Sequence, residues 1–220
     1  MRTLLTILFL TAITIAYCQT EVEIYFSDAC DSSIKKIEYE LFNPLSKKSY
    51  LSANSKLTLT EIGTYLLSTG IVNGDFNGTF STTIEIDTSK HIIDTLFVPP
   101  IRFTTKTALH SQYWSYFNCM ELCDGTETDF YPNKNKRLEG EFSAGKPFFI
   151  TTYRSDGSIK TKTHYAFGTL DYEKVEYYNQ RNELEEYAVY KNRKKRTIKK
   201  LYDATGNFLE KEIEKHYIEE

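Results

Sequence analysis

Alternation of apolar and polar residues is the clearest pattern in the first half of the chain. In the segments EVEIYFS (21–27) and KIEYELF (36–42) every second residue is apolar, and Leu57 and Leu59 continue the pattern. Such period-two alternation is typical of half-buried β-strands. Residue pairs that favour turns separate the segments, namely Asn43-Pro44, Asn73-Gly74 and Asn77-Gly78. The pattern predicts an antiparallel β-sandwich over residues 19–104.

The second half repeats a β-hairpin signal. Tyrosines recur at spacings of 22, 25 and 24 residues, and four positions after each stands a residue type that tolerates the left-handed conformation of a tight turn. The repeat aromatics are Tyr131, Tyr153, Tyr178 and Tyr202, and the turn residues are Asn135, Gly157, Asn182 and Gly206. A fixed period of this length predicts an elongated array of about four stacked hairpins over residues 125–220. With the sandwich before it, the chain is predicted to be all-β.

Two segments are less regular. Residues 105–124 follow Pro99-Pro100, carry several aromatic residues, and are predicted to form an irregular packed connector. At the C-terminus, Leu209, Ile213 and Tyr217 have the spacing of one helix face, whereas the repeat register favours a strand, and both alternatives stay open.

The hairpin region resembles the MORN-variant repeat family. The resemblance rests on DGTETDFYPNKNKRLEGEFSAGKP (124–147) and TTYRSDGSIKTKTHY (151–165), in which a tyrosine, polar residues, a glycine and an apolar residue recur and Gly145-Lys146 ends a unit. It covers about 95 residues and is weaker in the last two units, which lack the repeat-end Gly-Lys pair. The resemblance implies a protein-contacting scaffold, found in secreted bacterial and antitoxin-like proteins, without catalytic residues.

The segment LTLTEIGTYLLS (57–68) is loosely similar to strands of transthyretin-like or carboxypeptidase-regulatory-like β-sandwiches. There a strand, a turn with glycine and a tyrosine-bearing strand recur. This resemblance implies the same sandwich fold as the alternation does, and it carries no functional residues.

The N-terminus predicts export. Met1-Arg2 is followed by an apolar run too short to span a bilayer and then by Ala16-Tyr17-Cys18, which favours cleavage before Gln19. The alternatives are a lipid anchor on Cys18 and a buried N-terminal element. We expect residues 1–18 to be a signal peptide and the rest to be secreted or periplasmic, with no transmembrane segment.

Three cysteines remain after such cleavage. In an oxidising compartment an odd number indicates one disulfide and one further thiol. Cys119 and Cys123 are the expected pair if the chain turns between them, because in an extended strand they would lie about 13 Å apart, beyond disulfide reach. Cys30 is then left over.

Charge draws attention to one segment. The net charge of -3 gives the whole chain no bias towards polyanions, so nucleic acid is not an expected partner. The segment 191–200 nevertheless concentrates basic side chains, namely Lys191, Arg193, Lys194, Lys195, Arg196, Lys199 and Lys200. They form a possible binding patch for an acidic partner, or they pair across strands with the acidic residues 210–220.

The sequence offers little for catalysis. The histidines, His91, His110, His164 and His216, have no metal-ligand spacing, and the cysteines lack the second pair of a zinc site. A His110–Cys119 dyad would require proximity in space. We therefore expect no metal, no cofactor and no enzyme. The predicted function is binding of another protein by the repeat sheet; the alternatives are an immunity or antitoxin-like protein and an envelope enzyme acting on carbohydrate or peptidoglycan.

Overall fold

The computed structural model describes residues 19–73, 76–87, 91–108 and 111–216. These residues form strands joined by turns, and no helix occurs among them, so the all-β prediction is confirmed. The predicted signal peptide with Cys18, residue 74 of the Asn73-Gly74 turn, His110 and the last four residues lie outside this part of the chain. The part described also contains no helix long and apolar enough to cross a membrane.

Eleven strands precede the repeats. They are β1 (Thr20–Asp28), β2 (Ile34–Lys35), β3 (Glu40–Asn43), β4 (Lys48–Leu51), β5 (Lys56–Leu59), β6 (Gly63–Asn73), β7 (Phe76–Ile86), β8 (His91–Val98), β9 (Ile101–Ala108), β10 (Ser111–Asn118) and β11 (Glu121–Leu122). One sheet has the order β2-β1-β5, with β8 also pairing with β1, and a second has the order β11-β10-β9-β7-β6-β3-β4.

The remaining strands form one eight-stranded antiparallel sheet in chain order. They are β12 (Gly125–Phe130), β13 (Lys136–Ser143), β14 (Lys146–Tyr153), β15 (Ile159–Tyr165), β16 (Tyr172–Tyr178), β17 (Leu184–Arg193), β18 (Arg196–Asp203) and β19 (Phe208–Lys215). The sheet is thus four consecutive hairpins, as the repeat predicts. The tail is a strand as far as Lys215, which decides between the two alternatives for it.

Two compact units make up the fold, and each combines separate segments. The described parts of 1–25, 36–69 and 81–95 form the first unit, and those of 26–35, 70–80 and 96–220 form the second. Strands β1, β6, β7 and β8 contribute to both, so the units differ from the sequential division predicted above. In the first unit, alternate residues of the predicted strands are fully buried, among them Val22, Ile24, Leu41 and Leu59.

Two local predictions need correction. Residues 105–124 are not an irregular connector, because β9 and β10 pair in register from Ile101↔Asn118 to Ala108↔Ser111. The Asn77-Gly78 pair is not a turn either, since it lies within β7 and pairs with β9. Asn43-Pro44 does begin a turn, and Pro99-Pro100 separates β8 from β9 as expected.

The disulfide prediction was wrong. Cys119 is bonded to Cys30, 89 residues away, with Cα atoms 5.3 Å apart, and both lie in the second unit. Cys119 sits in the tight turn between β10 and β11 with a left-handed φ of 55°, and its backbone N donates to the Pro100 carbonyl. Cys123, beyond β11, is instead a free thiol buried in the core, where burial raises its pKa to about 12.

Candidate functional site

Each hairpin of the repeat sheet turns in the same way. The backbone N of the first turn residue donates to the carbonyl four residues on, and the N of the fourth residue donates back to the first. The fourth residue always has a left-handed φ; these residues are Lys134, Gly157, Asn182 and Gly206. Three of the predicted turn residues are therefore confirmed, and the first was wrong by one position because Lys134, not Asn135, is left-handed.

The four turns lie at the same end of the strands, and side chains join the first three to one another. Asn135, which follows the left-handed residue Lys134, donates from Nδ2 to the Ser155 carbonyl at 2.8 Å. Asn182 Oδ1 accepts from the Ile159 backbone N at 2.6 Å in the next pair of turns. Arg154 donates to the carbonyls of residues 178 and 179. These bonds fix the first three hairpins to one another at their turns, so side chains on the faces of those hairpins hold a defined spacing.

The repeat aromatics are half-buried and take part in this framework. Tyr131 donates its hydroxyl to the Tyr153 carbonyl at 2.8 Å, and Tyr178 donates to Glu176 at 2.9 Å. Burial, with the Glu176 hydrogen bond second, raises the pKa of Tyr178 to about 12. Tyr202 stacks on another ring at 5.2 Å. These contacts give the tyrosines a structural role, and only part of each ring is exposed to solvent.

One face of the sheet is buried over strands β13–β15. Its buried side chains belong to a core formed within the second unit by Ile101, Cys123, Leu138, Phe142, Ile150 and Tyr165, with Tyr116 packed against it. The Tyr116 and Tyr165 hydroxyls are 3.1 Å apart. Asp129, 2% exposed, lies beside this core and accepts from Arg137 and from the Ile101 backbone N. Burial raises the pKa of Asp129, although Arg137 opposes the shift.

The opposite face, here called the open face, carries rows of aromatic and charged side chains. One cross-strand row runs Glu139, Thr151, Lys162, Glu176, Tyr187, Tyr202 and Phe208, and the next runs Glu141, Phe149, His164, Lys174, Val189, Lys200 and Lys211. Lys162 Nζ lies 5.3 Å from the centre of the Tyr178 ring, and Lys174 Nζ lies 5.0 Å from that of Tyr187. Such contacts hold lysines over aromatic rings while leaving their charge available.

Charge separates between the two faces of β17–β19. Because successive side chains in a strand point to opposite faces, the register assigns each residue to one side. The open face, from Tyr187 onward, carries Lys191, Arg193, Arg196, Lys200, Lys211 and Lys215, here called the basic patch. The opposite face carries Glu186, Asp203, Glu210, Glu212 and Glu214.

The predicted basic cluster is therefore divided. Four of its residues belong to the basic patch, while Lys194 and Lys195 lie in the turn between β17 and β18. Lys199 lies on the opposite face and pairs with Glu212 at 2.9 Å, which is the cross-strand pairing that the sequence offered as an alternative. Sequence reasoning missed Lys211 and Lys215, because they stand in an acidic segment and only the strand register brings them to this face.

The carboxylates and the cysteine considered for catalysis form ion pairs or a disulfide in the structure. A shallow depression of about 300 Å³ in the first unit is lined by Glu21, Glu23, Lys56 and His91. Its carboxylates are paired there, with Glu23 3.0 Å from the Lys56 ammonium and Glu21 3.2 Å from His91 Nδ1. Within the described ranges no three His, Cys, Asp or Glu side chains are grouped to hold a metal ion. The sulfur of Cys119, in its disulfide, is not a free nucleophile.

Comparison of the whole chain with protein-family models and with curated proteins finds no match.

Proposed function

We propose that this is a secreted or periplasmic, non-enzymatic binding protein whose repeat sheet docks another protein through its open face. The observation that carries the proposal is the arrangement of that face in β14–β19. Aromatic and aliphatic side chains remain exposed there between lysines, with Val189 40%, Ile213 47% and Phe208 57% exposed. Aromatic residues beside exposed apolar surface are typical of protein interfaces, and charged residues around them favour a partner of opposite charge.

The hairpin architecture suits such a role. Stacked repeats expose an extended surface whose side chains have fixed spacing. Bonds between the first three turns and continuous strand pairing through β19 hold this surface in place without a partner. A preorganised surface loses less side-chain freedom when it binds. The resemblance of residues 124–165 to the MORN-variant repeat, which implies a protein-contacting scaffold, supports the same function.

Affinity capture tests the proposal. Residues 19–220 would serve as bait for the secreted and envelope fractions of the organism that encodes the protein, next to a bait with Tyr187→Glu and Val189→Glu on the open face. A matched control carries Lys134→Glu, which makes the same change in net charge at an exposed turn residue outside the rows described above. We expect a protein that the first and third baits retain and the second loses. Retention of the same proteins by all three baits would refute docking through this face.

The proposed export has its own measurement. Mass spectrometry of the protein made by its own organism should find an N-terminus at Gln19, cyclised to pyroglutamate. A diacylglycerol on Cys18 would replace secretion by a lipid anchor, and an intact Met1 would refute export.

A further inference from the structure

Like charges stand directly opposite one another in the basic patch. The register pairs Arg193 with Arg196, Arg196 with Lys215, and Lys200 with Lys211. Like charges in directly opposed positions of a sheet are destabilising. Among the described residues none of these basic side chains forms an ion pair, whereas Lys199 on the opposite face does. Within the described part of the chain, one side of these three strands therefore carries positive charge that no carboxylate pairs with.

Apolar side chains alternate with these charges. Across the strands, Lys191 is followed by Ile198 and Ile213, and Val189 is followed by Lys200 and Lys211. Neighbouring positions are about 4.8 Å apart across the sheet and about 6.8 Å apart between alternate residues of a strand. A ligand lying on the patch thus meets a cation or an apolar group every few ångströms.

We infer that the basic patch binds an acidic protein segment that also carries aromatic or aliphatic side chains. Charge complementarity selects the acidic residues, and burial of Val189, Ile198 and Ile213 selects the apolar ones. The sugar–phosphate backbone of a nucleic acid would pair with the basic side chains and leave the apolar positions without a partner, so nucleic acid fits less well. The inference rests on the proposed function and names the class of partner for the same face.

The face, rather than the edge of the sheet, is the docking surface. Strand β19 ends the sheet in chain order, and its exposed side chains alternate between glutamate and lysine over most of its length. Charged residues on an edge strand discourage the addition of another strand. A partner therefore gains more by lying across the side chains of β17–β19 than by extending the sheet.

Fluorescence anisotropy with synthetic probes tests this inference on residues 19–220. The probes are a labelled random copolymer of glutamate and tyrosine, labelled poly-glutamate, and a labelled single-stranded DNA. The test variant is Lys200→Glu with Lys211→Glu, which keeps a like-charged pair at the same positions and so should fold. The control variant, Lys47→Glu with Lys134→Glu, makes the same change in net charge at exposed turn residues that form no ion pair among the described residues.

We expect the copolymer to bind more tightly than poly-glutamate and DNA, and to bind roughly tenfold or more weakly to the test variant. The control variant should change the affinity by less than about twofold, and added salt should weaken binding to the wild type. Equal losses in the two variants, tightest binding of DNA, or no binding of the copolymer at low salt would overturn the inference. So would self-association through the patch, seen as concentration-dependent sedimentation that the test variant abolishes.

Failure of this inference is distinguishable from failure of the proposed function. If the captured protein is lost with the Tyr187→Glu and Val189→Glu bait but the copolymer does not bind, the open face still docks a protein and the acidic class of partner is wrong. If capture does not depend on the open face, the proposed function itself fails.

Discussion

Removal of the Cys30–Cys119 disulfide should destabilise the second unit by an amount that identifies the pairing. The bond closes a loop with a sequence separation of 89. The chain-entropy relation gives about 4.6 kcal/mol at 25 °C for a loop of this length, and about 2 kcal/mol for the four-residue loop of a Cys119–Cys123 bond. Native disulfides commonly contribute about 2–5 kcal/mol, so the long loop should fall in the upper part of that range.

The native geometry around Cys30 does not depend on the bond alone. Asp28, whose carboxylate is 1% exposed, accepts from the Cys30 backbone N at 3.0 Å and pairs with Lys35 and Arg102. Burial raises the pKa of Asp28, and these hydrogen bonds outweigh that effect and leave the pKa lowered. Loss of the disulfide should therefore act chiefly by giving the unfolded chain more freedom, with the folded turn retained.

The assay is urea denaturation of the Cys30→Ser, Cys119→Ser double variant followed by Trp114 fluorescence. Trp114, the chain's single tryptophan, lies on β10 of the second unit, so it reports on that unit. We expect a loss of about 3–5 kcal/mol. The Cys123→Ala control keeps the bond and should lose only about 1 kcal/mol from a small cavity. A Cys119–Cys123 peptide after non-reducing digestion would refute the pairing, and a loss below about 2 kcal/mol would refute the estimate from loop length.

Further predictions concern the repeat sheet. Lys200→Glu creates an opposite-charge pair with Lys211 and should raise the melting temperature by about 1–4 °C, measured by circular dichroism; a fall would contradict the register. Gly157→Val should destabilise by about 1–2 kcal/mol in urea because φ is 89°, whereas Lys134→Gly relieves the same strain and should not destabilise. Side-chain bonds from Asn207 and Thr205 lower the pKa of Asp203 to about 2, so its stabilisation is present above pH 4 and lost towards pH 2; an NMR titration midpoint near 3.8 would refute this.

Local signals predicted the strands and hairpins well. Alternation and turn residue types act over a few neighbouring positions, and Gly157, Asn182 and Gly206 occupy the left-handed positions that their residue types suggest. The first hairpin differs because its turn begins at the aromatic Tyr131 itself, while the later turns begin one residue after their tyrosines. The position of the repeat tyrosine therefore locates each turn only to within one residue.

The sequence pattern did not predict how separate segments of the chain pair with one another. The proximity of Cys119 and Cys123 in sequence suggested a bond, but the two-residue turn after β10 places Cys119 beside Cys30 and Cys123 in the core. Likewise the aromatic residues of 105–124 looked like a packed connector because their alternation is weak. Pairing of β9 with β10 determines their structure.

The separation of charge in β17–β19 shows why a binding surface can be hidden in a nearly neutral segment. Residues 210–215 alternate acidic with basic or apolar side chains, so the sequence alone indicates a mixed, solvated tail. Once the segment is a strand paired with β18, every second residue joins one face, and Lys211 and Lys215 meet Lys200 and Arg196. A one-residue slip of β19 would exchange its two faces and place glutamates opposite the basic side chains of β18. The register, held by the bulge next to Tyr202, therefore determines whether the sheet has a basic face at all.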